Sequence, residues 1–74
     1  MVPLHWAGTQ NNLGNALQTL GKRESGTARL EEAVTAFRAA LLVFDDTLPQ
    51  YRSIVQSPLK TATELLNARL GRHN

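Results

Sequence analysis

Asn11, Asn15 and Gln18 are the residues whose type and spacing most invite a binding role. They fall at i, i+4 and i+7, so a helix through them sets three carboxamides on one face. Each carboxamide offers N–H donors and a carbonyl acceptor, the set needed to hold a peptide main chain. Two readings fit the stripe: a ligand groove, and a merely solvated face. His5 and Asn12 lie close to it in the sequence.

Side chains suited to catalysis or metal binding are not grouped in this way. His5 and His73 stand at opposite ends of the chain, neither beside a set of carboxylates, and there is no cysteine. Thiolate metal sites and disulfides are therefore excluded, and no metal or other cofactor is expected. Glu31 and Glu32 are adjacent, so a helix points them to different faces and they do not form an acid–base pair. Ser25, Ser53 and Ser57 have no neighbouring base to activate them. Gly21 and Gly26 punctuate the chain and do not build a phosphate-cradling loop. The expectation is a binding or assembly protein, not an enzyme.

The chain has 74 residues and a net charge of +2. Its basic residues are Lys22, Arg23, Arg29, Arg38, Arg52, Lys60, Arg69 and Arg72, scattered without a run. Nucleic-acid binding calls for a clustered basic face, so no nucleic-acid partner is expected. No apolar stretch reaches the roughly 18 residues of a membrane span, and Met1 to Trp6 lack a basic leader followed by an apolar run. No membrane association is expected, and with cysteine absent the default compartment is the cytoplasm. A chain this short buries only about 60% of its unfolded surface. Area gain and ordering entropy then nearly cancel, so stability must come from regular helix packing, aided by self-association.

Three segments carry a helical period, predicting helices over 3–20, 27–46 and 48–70. In the first, Trp6, Leu13, Ala16, Leu17 and Leu20 are the apolar positions. Pro3 suits its first turn and Gly21 its left-handed stop. Gly8 and Gly14 each weaken a helix by roughly 1 kcal/mol relative to alanine, and Gly14 is read as the place where a neighbouring helix comes close. Thr27 is placed to cap the second helix. There Leu30, Ala33, Val34, Phe37, Ala40, Leu41 and Phe44 keep helical spacing, widened by Ala36, Ala39, Leu42 and Val43. So broad a stripe predicts packing on two sides. Thr47 and Gln50 have capping-box spacing for the third helix. Tyr51, Ile54, Val55, Leu59, Ala62, Leu65, Leu66 and Leu70 supply its apolar positions, with Gly71 as its stop. Pro58 removes one helical hydrogen bond and predicts either a kink near 54–58 or a break with Ser57 as a fresh cap. The apolar phase continues through it, which favours the kink. No period-two run appears, so the class is all-α with antiparallel neighbours.

Residues 12–41 resemble a tetratricopeptide repeat. Leu13-Gly14 followed by Leu17 is similar to the Leu-Gly-x-x-Tyr of the first repeat helix, and Ala33-x-x-x-Phe37 to the Ala-x-x-x-Phe of the second, with Ala40-Leu41 following. Gln10 stands at the family's tryptophan position. Thr9 to Gly14 is closer to the long-repeat type found in kinesin light chains and many bacterial proteins. The resemblance implies a helix–turn–helix repeat, and the polar outer face of the third segment implies a capping helix after it. It also implies a protein or peptide partner held by first-helix side chains, here Asn11, Asn15 and Gln18. One repeat does not cover both faces of the second helix. Trp6, Leu42 and Val43 are the candidate self-association residues, and a homodimer is expected.

Overall fold

The computed structural model describes residues 3–71; His73 and Arg72 fall outside them. The protein is all-α. Helix α1 spans Pro3–Arg23, α2 spans Ala28–Thr47, a 3-10 turn covers Pro49–Tyr51, and α3 spans Arg52–Arg69. Among the described residues there is no strand. The short links make α1 and α2 an antiparallel hairpin and turn α3 back along α2. Helix α2 is the central element and packs against both others, whereas α1 and α3 touch only slightly. The molecule is a slab of 36 × 23 × 13 Å.

The breadth of the apolar surface of α2 explains this order. Leu30, Ala33, Val34, Ala36, Phe37, Ala40 and Phe44 are all buried. Ala7 from α1 and Val55 and Ala62 from α3 close over the central cluster, with Leu17, Leu41, Val43, Leu59 and Leu66 partly buried around it. The Phe44 ring meets the Tyr51 ring edge-on at 5.8 Å, which joins α2 to the turn before α3.

Glycine lets α1 approach α2. A Cβ built on Gly14 would sit 2.6 Å from Cε1 of Phe37, inside van der Waals contact. Gly21 does the same further along, where a Cβ would meet Cδ2 of Leu30 at 2.8 Å. This corrects the expectation that Gly21 stops α1 at residue 20. Its φ is not positive, the helix runs on to Arg23, and a close contact is what requires glycine there. Gly71 is the left-handed residue, with φ +74°, and follows the end of α3 as predicted.

The start signals hold less well. Thr27 is at the cap of α2, but its side chain makes no capping hydrogen bond. Thr47 belongs to the end of α2 instead of opening the third helix. The 3-10 turn begins after Leu48 with Pro49 at its first position, without a side-chain cap. Proline supplies the required φ there and has no N–H to be capped. Helix α3 runs unbroken through Pro58, so Ser57 does not restart it.

Arg69, in the last turn of α3, ties that helix to the end of α1 and to the loop that follows it. Its guanidinium donates to the main-chain carbonyls of Gly21, Lys22 (3.2 Å) and Gly26 (2.9 Å). The end of a helix leaves carbonyls without donors, and here an arginine from the far end of the chain supplies them. Arg69→Ala strips the charged donor from all three and should cost about 1.5–3 kcal/mol. Arg69→Lys should recover only part of the loss, since an ammonium lacks the planar fork. Urea midpoints of the three proteins check this order.

Candidate functional site

Asn11, Asn15 and Gln18 line one groove, between α1 and α3. It is open, with a volume of about 460 Å³. Thr19 and Lys22 extend the α1 wall, and Ile54, Ser57, Pro58 and Thr61 form the α3 wall. Each wall is a helical stripe, so the groove runs along both axes. Lys22 is the only charged residue among those lining it.

The polar atoms of the groove are not equally committed. The Thr19 hydroxyl donates to the Asn15 carbonyl at 3.0 Å, and that of Thr61 to the Ser57 carbonyl at 3.3 Å. Threonines inside helices commonly satisfy themselves in this way. Gln18 is only 6% exposed. Oδ1 of Asn11 is buried and has no hydrogen-bond partner. A buried acceptor without a donor costs about 1–3 kcal/mol, so this atom is costly to the free protein. Across the groove, Pro58 has no N–H to give the Ile54 carbonyl one turn earlier.

The structure brings the three predicted carboxamides together and adds the α3 wall, which sequence reasoning missed. Ile54 was assigned to the apolar core but is 54% exposed. Its signal was present in the spacing of Ile54, Ser57, Pro58 and Thr61, a second stripe on the flank of α3. His5 is exposed and is not a lining residue. Trp6 is half-buried, Val43 is half-buried, and Leu42 is 76% exposed. None of these three lines the groove. Among the described residues no three His, Cys, Asp or Glu side chains are placed to hold a metal ion, and no helix is long and apolar enough to cross a membrane.

Two further hollows flank α2. One of about 480 Å³ lies against α1 and α2, around Leu13, Leu17, Ala36 and Ala39. The other, of about 500 Å³, lies against α2 and α3, around Leu41 and Leu59. No family model matches the chain, and no curated protein or solved structure matches it either.

Proposed function

We propose that this protein is a helical interaction module that holds an extended segment of a partner protein in the α1–α3 groove. The observation that carries the reading is the buried Oδ1 of Asn11 without a donor. A peptide main chain presents N–H groups at regular intervals and would supply the donor that Asn11 lacks. Asn15 and Gln18 continue the carboxamide row, and Ile54 and Pro58 offer apolar contact opposite it. The tetratricopeptide resemblance supports the same reading. Its small-against-large requirement corresponds to Gly14 lying under the Phe37 ring, with α3 in the place of a cap. On this reading the protein acts without a cofactor and works in the cytoplasm as a scaffold.

The orphaned acceptor makes the test specific. Peptides selected from a random displayed library on the wild-type protein serve as ligands. Asn11→Ala with Asn15→Ala should weaken their binding about tenfold or more, since loss of a positioned polar contact costs on the order of 1.4 kcal/mol or above. The melting temperature should not fall, because the substitution removes an unsatisfied buried group. Equal binding by wild type and variant dismisses the groove.

A second reading, self-assembly, is favoured by the exposure of Leu13, Leu20 and Leu42, at 46%, 46% and 76%. Contiguous exposed apolar surface usually marks an interaction site.

A further inference from the structure

The hollows on the two sides of α2 differ in charge. The α1–α2 hollow sets Leu13, Leu17, Ala36 and Ala39 beside the carboxylates of Glu31 and Glu32, with no cation among its lining residues. Leu20 extends its α1 wall by two turns from Leu13, and Leu42 extends its α2 wall by one turn from Ala39. The α2–α3 hollow sets Leu41 and Leu59 beside Lys60, with no carboxylate among its lining residues. Leu41 lies nine residues from Glu32, half a turn round α2, so the hollows open on opposite sides of that helix. Glu32 is bonded to Arg29, but Glu31 and Lys60 make no ion pair with any described residue.

We propose that a second copy of this chain docks its α3 edge, led by Lys60, into the α1–α2 hollow, so that copies join head to tail. The proposal rests on the self-assembly reading above and is independent of the peptide groove. Charge decides its geometry. Because the hollows open on opposite sides of α2, a two-fold pairing puts one hollow against its own copy and leaves Glu31 apart from Lys60. The head-to-tail arrangement instead brings Lys60 to Glu31 and covers Leu13, Leu20 and Leu42 with Leu41 and Leu59. It replaces the expected two-fold homodimer with a heterologous contact, which leaves a free edge at each end and does not close at two copies.

Sedimentation velocity on the wild-type chain, from about 1 µM to about 500 µM, reads the outcome. The mean mass should rise with concentration and pass the dimer. Glu31→Lys or Lys60→Glu alone should weaken association at least about fivefold, by turning an attraction into a repulsion. The double variant should restore it. Leu42→Gln should weaken it through lost apolar cover. Glu31, Leu42 and Lys60 are all exposed, so these variants keep the fold. Association that stops at the dimer, or that ignores both charge reversals, overturns the head-to-tail contact and leaves self-assembly standing in another form. A monomer at every concentration overturns both.

Discussion

Phe37→Ala is expected to cost about 3–5 kcal/mol, the range for removing a buried aromatic ring. Small domains have roughly 5–15 kcal/mol in total, and a chain this short belongs near the bottom of that range. The variant should therefore keep about 2 kcal/mol at most and melt far below the wild type. The ring is fully buried and lies in the cluster that joins all three helices. It also fills the space above Gly14, which has no side chain of its own to fill the void. Far-ultraviolet circular dichroism during heating is the measurement. A cooperative transition at the wild-type temperature would refute the packing around Phe37.

Gly14→Val should be nearly as damaging, and Gly8→Ala should act in the opposite sense. Both glycines interrupt the same helix, and by propensity alone each substitution should help or be neutral. At Gly14, added carbon atoms would meet the Phe37 ring at 2.6–2.9 Å. Either the ring leaves its rotamer or α1 moves away from α2, and overpacking of this kind costs about 3 kcal/mol at its upper end. At Gly8 a Cβ would have nothing within 4 Å. Alanine there should stabilise by about 0.5–1 kcal/mol, raising the melting temperature by roughly 2–8 °C for a domain of this size. A fall in melting temperature at Gly8, or none at Gly14, would contradict the proposed contacts.

Those glycines show what the sequence makes legible. Gly14 was readable because Phe37 belongs to a motif that names its small partner. Gly21 had the same structural role, yet its position at the end of a periodic run looked like a stop. Local sequence does not distinguish a glycine needed for φ from one needed for space. Leu13 and Leu20 show a similar ambiguity. Helical period groups them with Leu17, but only Leu17 packs against the core, and period alone does not say which edge of a wide stripe meets its neighbour. The existence and order of the helices followed from period and punctuation, while the third segment opens at Pro49 after Leu48, one residue beyond the start expected from Thr47. Half of the groove was legible as a stripe on α1. The other half was not, because the pairing of Asn11, Asn15 and Gln18 with Ile54, Ser57 and Thr61 depends on contacts some forty residues apart. Arg69 was invisible for the same reason: its acceptors are main-chain carbonyls, which every sequence contains.

The Arg69 clasp secures only one end of the groove. It binds the last turn of α3 to the end of α1, while elsewhere these two helices scarcely touch. The clasp therefore lies at the Lys22 end of the groove, about 16 Å along α1 from Asn11 at 1.5 Å of rise per residue. At the Asn11 end it is α2 that holds α3 in place, through Val55 in the shared core.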